Sequence, residues 1–168
     1  MTRTDVTRTD VPSGLREQAP RYALLPLRIF LGLTFVYAGL DKLTDATFLS
    51  ADGAGSIGEL MRGVRDTAAF PAMVDLALDS PVGCAVALAI GEILVGLGTL
   101  AGLLTRIAAT GGALISLSLW LTVSWAVTPY YYGNDLIYLM AWTPLILAGA
   151  RYLSLDSLIR SRRSRRTA

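Results

Sequence analysis

The sequence predicts an all-α integral membrane protein: a four-helix bundle with both termini cytoplasmic and a short amphipathic helix in its outer loop. Three observations carry this expectation. The first is composition. Of the 168 residues, 53% are hydrophobic and 17% charged, with mean hydropathy +0.51, whereas soluble domains carry about 25% charge. The second is that the apolar excess falls into runs at Tyr22–Leu40, Pro81–Leu104, Ile107–Val127 and Leu136–Ala150. A span needs roughly 20 mostly apolar residues. The first three runs meet that length, and the fourth does so when Tyr130–Asp135 starts it. The third is the placement of Lys and Arg. They gather in the N-terminal tail (Arg3, Arg8, Arg16, Arg21), at Arg106, and in the C-terminal tail from Arg151 to Arg166. The segment Asp41–Ser80 holds only Lys42, Arg62 and Arg65, and Thr128–Asn134 holds no Lys or Arg. Four spans with both ends inside satisfy the positive-inside rule without conflict.

In chain order, residues 1–20 form a polar tail carrying Thr-Arg-Thr-Asp twice, at Thr2–Asp5 and Thr7–Asp10, and are expected to be disordered. Residues 21–152 make one membrane domain. In the outer loop, Ser56-Ile57-Gly58-Glu59 fits a capping box, and Ile57, Leu60, Met61, Val64 and Ala68 follow at helical spacing. That helix either lies on the membrane surface or caps the bundle, and Pro71 ends it. A short turn, Ala72–Leu78, leads to Pro81 at the head of the second span. Within that span, Gly98-x3-Gly102 is a spacing that lets helices approach closely. Residues 153–168 form a basic cytoplasmic tail whose Arg160–Arg166 cluster suits a topology signal or contact with anionic lipid. No nucleic-acid fold or aromatic interleaving accompanies it, so nucleic acid is not an expected partner.

Absent residues exclude several chemistries. There is no His and one Cys, Cys84. Iron–sulfur clusters and zinc sites draw on several Cys or His, and a lone thiol makes no internal disulfide. No metal ligands and no tightly bound cofactor are expected.

The informative residues are charges inside apolar runs. Glu92 lies near the middle of the second run and Arg28 lies in the first. A carboxylate at that depth costs about 2.5–3.5 kcal/mol on insertion scales and marks a functional or paired group. Arg28, Gly32, Phe35, Gly39 and Lys42 share one stripe of the first helix. Glu92 shares a face with Ala85, Ala89, Gly96 and Thr99. Ser116, Trp120, Ser124 and Thr128 share a face of the third helix, and Asp135, Tyr138 and Trp142 a face of the fourth. Counted from the inner ends at 1.5 Å per residue, Arg28 lies roughly 9 Å deep and Glu92 roughly 18 Å deep. An Arg28–Glu92 pair inside the bundle is therefore expected, either fixing helix register or holding a ligand or proton. At the outer side, Asp41, Lys42 and Asp135 accompany Tyr130, Tyr131, Tyr132 and Tyr138. The tyrosines suit an interfacial anchor or the mouth of a pocket for a flat ring, and Asp135 suits an N-cap.

These residues resemble a known family. Arg28-x3-Gly32…Gly39-x2-Lys42 is similar to the first-helix pattern of the DoxX/DoxD-like membrane proteins. Gly91-Glu92 followed by Gly98, Gly102 and Leu103–Arg106 is similar to the second. Pro129–Asp135 with Trp142-Thr143-Pro144 resembles the DoxD branch. The resemblance spans Leu25–Ala150 and implies a four-helix membrane fold. It also implies the small membrane subunit of a thiosulfate:quinone oxidoreductase, acting with a second redox subunit in the plasma membrane. By the same resemblance Arg28, Glu92 and Asp135 are the catalytic candidates. With quinone as the diffusible cofactor, Glu92 is the expected proton carrier and Arg28 its charge partner. Tyr138 and Trp142 form the expected ring-packing wall, and Lys42 attracts an anion from outside. Two other classes stand beside this one: a non-catalytic scaffold recruiting soluble redox enzymes, and a small transporter.

Overall fold

The computed structural model describes residues 22–150 together with 154 and 155. The tail 1–20 and nearly all of the tail 153–168 lie outside the described residues, and with them the expectations of disorder and lipid contact. Among the described residues every regular element is helical. In order they are α1 Leu25–Thr44, α2 Ile57–Arg65, α3 Pro71–Leu78, α4 Pro81–Ala101, α5 Thr105–Leu119 and α6 Asn134–Ala148. A π-helical turn, Trp120–Ser124, extends α5, and a 3-10 turn, Tyr130–Tyr132, precedes α6.

Two helical segments, Pro81–Ala101 and Thr105–Ser124, are long and apolar enough to cross a membrane. Only 28% and 22% of their apolar windows are buried within the chain, whereas the core helix of a soluble protein is buried over most of its length. The outward faces carry Ile29, Phe30, Leu33, Tyr37, Ile90, Leu94, Leu97, Ile107, Leu114, Ile137, Met140 and Leu147, all exposed. So large an apolar exterior requires an apolar solvent or a partner to cover it. α1 spans 20 residues but carries Arg28, Asp41 and Lys42, and α6 reaches 15.

The four long helices pack as α1 against α4 and α5 against α6, with α4–α5 and α1–α6 contacts closing the bundle. Glycine sets the tightest seam. A Cβ at Gly39 would fall 2.5 Å from the Ala89 carbonyl oxygen, and one at Gly96 would fall 2.7 Å from that of Gly32. α1 and α4 therefore touch backbone to backbone, and any side chain at those positions would part them. The expected Gly98-x3-Gly102 seam is not the one used. A Cβ at Gly98 would meet Ala108 at 3.3 Å, and Gly102 is the left-handed cap of α4, at φ 64°. The apolar core comprises Leu31, Phe35, Ala109, Ala113, Trp142 and Leu145.

Local chemistry places the ends. Pro71 and Pro81 stand in the first turns of α3 and α4, where a missing N–H costs nothing. Ser56 caps α2, its hydroxyl accepting the Glu59 N–H at 3.1 Å, while the Glu59 carboxylate accepts the Gly55 N–H at 2.8 Å. Of the two expected positions for this helix, the structure has the capping one: α2 packs against α4 and the end of α5. Arg65 clamps α2 to α3 through Asp75 at 2.5 and 3.0 Å. The Arg106 guanidinium donates to the Leu147 carbonyl at 2.8 Å, capping the far end of α6. Inside α6, Pro144 cannot donate to the Met140 carbonyl, and the Thr143 hydroxyl does so instead at 2.7 Å.

Candidate functional site

One group of interior polar side chains lies toward the end of the bundle that bears α2 and α3. Lys42 lies in the last turn of α1. Its ammonium donates to both Glu92 oxygens, at 2.9 and 2.8 Å, and lies 3.4 Å from the Ala38 carbonyl. Glu92 is only 3% exposed. Its buried charge is thus met by a cation held in two hydrogen bonds, the arrangement that makes burial tolerable.

This corrects the expected Arg28–Glu92 pair. α1 and α4 run antiparallel, and the Cα–Cβ bond of a helix tilts toward its N-terminus. Arg28 therefore leans away from the loop end, whereas Glu92 leans toward it, so their heads diverge. Lys42 leans back into the bundle and Glu92 leans up to meet it. The Arg28 guanidinium instead lies beside Gly102, where an added Cβ would be 3.3 Å from its Nη1. Gly102 is ten residues beyond Glu92, about 15 Å along the axis. Arg28 is buried at 6% exposure, at the opposite end from the cluster. Lys42, expected to draw an anion from outside, is turned inward and committed to Glu92.

Asp135 joins the cluster from α6. It does not cap that helix: α6 starts at Asn134 with Gly133 as its N-cap, and Asp135 lies in the first turn. Its carboxylate accepts a hydrogen bond from the Ser124 hydroxyl. The Lys42 ammonium acts electrostatically on both Glu92 and Asp135. The π turn at Trp120–Ser124 aims Ser124 at Asp135, and such turns often mark functional sites. It also frees the Leu121 carbonyl, which accepts the N–H groups of Ala69 at 2.9 Å and Phe70 at 3.3 Å. The link between α2 and α3 is thereby tied to the helix that holds Ser124. Each long helix supplies one member: Lys42 from α1, Glu92 from α4, Ser124 from α5 and Asp135 from α6. Two carboxylates face one ammonium, so a bound proton would neutralise the group.

Below the cluster stands an aromatic wall. Phe35 meets Trp142 edge-on at 4.9 Å and Tyr138 edge-on at 6.0 Å, measured between ring centres. Trp142 is fully buried, its indole lying across Gly112, where no Cβ would fit. Tyr138 and Trp142 thus come together as the shared helix face implied. Phe35, the ring joining them, was legible only as a member of the Arg28–Lys42 stripe. Ser124 was visible as a stripe position, but nothing in the sequence announced the π turn that aims it. Tyr130, Tyr131 and Tyr132 do not line the cluster. They stack edge-on to one another, at 5.7 and 5.1 Å, and are exposed. Asp41 is exposed as well. Among the described residues no three His, Cys, Asp or Glu side chains group as metal ligands.

No curated protein and no solved structure matches the chain. One family model, DoxX, matches residues 23–125. That stretch runs from the head of α1 through the π turn. It includes Arg28, Lys42, Glu92 and Ser124, and stops before Asp135, Tyr138 and Trp142. With well over half its length matched, and with helices whose apolar faces point outward, the chain belongs to the DoxX family of membrane proteins.

Proposed function

We propose that this protein is a multi-pass plasma-membrane subunit that serves a redox partner by carrying protons to and from a quinone held inside its bundle. The observation that carries the reading is the Lys42–Glu92–Asp135 cluster, three charged side chains from three helices, of which the Glu92 carboxylate is only 3% exposed. Reducing a quinone to a quinol takes two electrons and two protons. The electrons come from the partner redox subunit, with thiosulfate as the donor that the family resemblance suggests. The protons pass through the cluster, Glu92 being its more deeply buried carboxylate and Asp135 the one in the first turn of α6. Burial excludes water, so a carboxyl group there donates only to what shares its pocket. Lys42 holds Glu92 in place and keeps its charge countered between transfers. Arg28 belongs to the opposite end and has no part in this step. The positive-inside rule sets the loop end outside. The basic tail, Arg160–Arg166, would rest on anionic headgroups at the inner face.

A scaffold role is the second reading. The mutual satisfaction of Lys42 and Glu92 favours it, because the same two hydrogen bonds also fix how α1 and α4 align. The test uses membranes in which the native partner subunits remain. Thiosulfate-dependent quinone reduction should be present with the wild-type chain and fall at least tenfold with Glu92→Gln, while partner recovery by the tagged chain is unchanged. Undiminished reduction with Glu92→Gln, or no quinone bound by the wild type, gives the scaffold reading instead.

A further inference from the structure

Most helix hydroxyls of this bundle share a habit that two of the buried ones, Thr99 and Ser116, break. Thr44, Thr110, Ser118, Thr122 and Thr143 each donate to a carbonyl three or four residues back, at 2.7–2.9 Å. Back-bonding is how a hydroxyl satisfies itself in an apolar helix. Ser116, 1% exposed, does not do so, and its Oγ has no hydrogen-bond partner among the described residues. The indole Nε1 of Trp142, fully buried, has none either. A buried Trp N–H ordinarily finds an acceptor, and leaving a donor dry and unpaired is costly.

These two donors belong together. Trp142 lies across Gly112 through Cε2, which is bonded to Nε1, and its neighbours Cζ2 and Cδ2. Ser116 is one turn along the same buried face of α5, about 6 Å nearer the loop end. Gly91 of α4 stands opposite Ile115 of α5, and Val95 opposite Gly111, so Glu92 lies at the depth between Ser116 and Gly112. One layer of the bundle therefore holds two vacant donors, the Phe35 and Tyr138 rings and the Glu92 carboxylate.

We propose that Ser116 and Trp142 are the carbonyl-binding donors of the interior site, receiving an oxygen of a flat, lipid-soluble diketone ring. The inference rests on the reading given under Proposed function and adds to it the groups that recognise the ring. Both vacant groups can donate, and the Glu92 carboxylate in the same layer is already held by Lys42, so the ligand suited to them brings acceptors. That describes an oxidised quinone and not a hydrocarbon or an amine. Trp142 acts here through its N–H as well as its face, and Gly112 is the residue that lets the indole lie flat enough to present it.

The experiment is equilibrium binding of tritiated 1,4-naphthoquinone to the full chain in lipid nanodiscs, corrected for partition into empty discs, with naphthalene as the ring lacking carbonyls. The wild type should bind naphthoquinone at least tenfold more tightly than naphthalene. Ser116→Ala should weaken naphthoquinone binding by about tenfold, the loss of one hydrogen bond in a dry site, and leave naphthalene binding unchanged, and Trp142→Phe, which also trims the ring face, should weaken naphthoquinone binding about tenfold more than it weakens naphthalene binding. Retained naphthalene binding also certifies that the variants are folded. Naphthoquinone binding that survives both substitutions at wild-type affinity would overturn the assignment of the donors and leave the quinone reading standing. Wild-type chain that takes up no more naphthoquinone than empty discs overturns that reading, and the donors' role with it.

Discussion

A lysine that reaches inward from the rim of a bundle is unusual, since long cationic side chains near helix ends ordinarily snorkel outward to water. Lys42 does the opposite because Glu92 is waiting there, at 2.8 Å. Removing one partner of such a pair leaves a buried charge uncompensated and costs about 3–5 kcal/mol. Lys42→Met should therefore lower stability by about 3 kcal/mol, read from denaturant unfolding in detergent. The double variant Lys42→Met/Glu92→Leu should recover most of that loss, because the buried Glu92 charge is then no longer stranded and Asp135 keeps its Ser124 hydrogen bond. A double variant as unstable as the single one would mean that the pair is not what Lys42 contributes. Glu92 and Arg28 were legible in the sequence as charges in apolar surroundings. Their separation was not. Depth counted along the chain puts the two within reach of each other, and only the tilt of Cβ toward each helix's own N-terminus decides which cation arrives.

At the scale of elements, the α1–α4 seam and the loop are the parts most open to test. Gly39→Val would drive a side chain into the Ala89 carbonyl and the Ile93 side chain, both fixed by the helix they belong to. The two helices would separate, at a cost of about 2 kcal/mol or more from overpacking alone, and Lys42 would lose its distance to Glu92. The expected result is a lower melting temperature together with a loss of quinone binding. Gly63→Val, at an open position on α2 where an added Cβ meets nothing within 4 Å, should change neither. Ser56→Ala removes the α2 cap and should cost about 1 kcal/mol. That loss should appear as faster amide exchange confined to the loop, since α2 sits on the bundle without forming its core. The helix positions and the capping box could be read from periodicity and spacing. The seam could not, because small residues are common in apolar helices and the sequence does not say which ones face a neighbour. The π turn also has no sequence signature: Trp120–Ser124 continues an ordinary apolar run.

Between its ends the bundle presents apolar side chains outward and buries the charges of Arg28 and Glu92. The expected layout puts α2 and α3 outside the cell and the end near Gly102 and Ser154 inside. Cys84 is the sole cysteine, so a Cys84→Ala chain is a blank for thiol mapping. Gly63→Cys on that background should react with an impermeant maleimide in intact cells. Leu155→Cys, exposed near the opposite end, should react only after the membrane is opened. The reverse pattern would turn the bundle over and place the Lys42–Glu92–Asp135 cluster on the cytoplasmic side. The four-run layout was plain from hydropathy and charge, while the closing of α6 onto the cluster was not. Asp135 and Ser124 are eleven residues apart, and their meeting depends on how the chain between them folds back.

The pairing of Lys42 with Glu92 also has a consequence for how the chain is made. The two residues are fifty positions apart, so a ribosome releases the lysine well before the glutamate. In the proposed layout α1 has no counter-ion during that interval, and the Lys42 ammonium stays in the headgroup region. Arrival of the acid then draws the amine down from the lipid surface. Assembly is in this way ratcheted: once α1 has given up its hold on the headgroups, leaving the bundle again means carrying a bare charge through hydrocarbon.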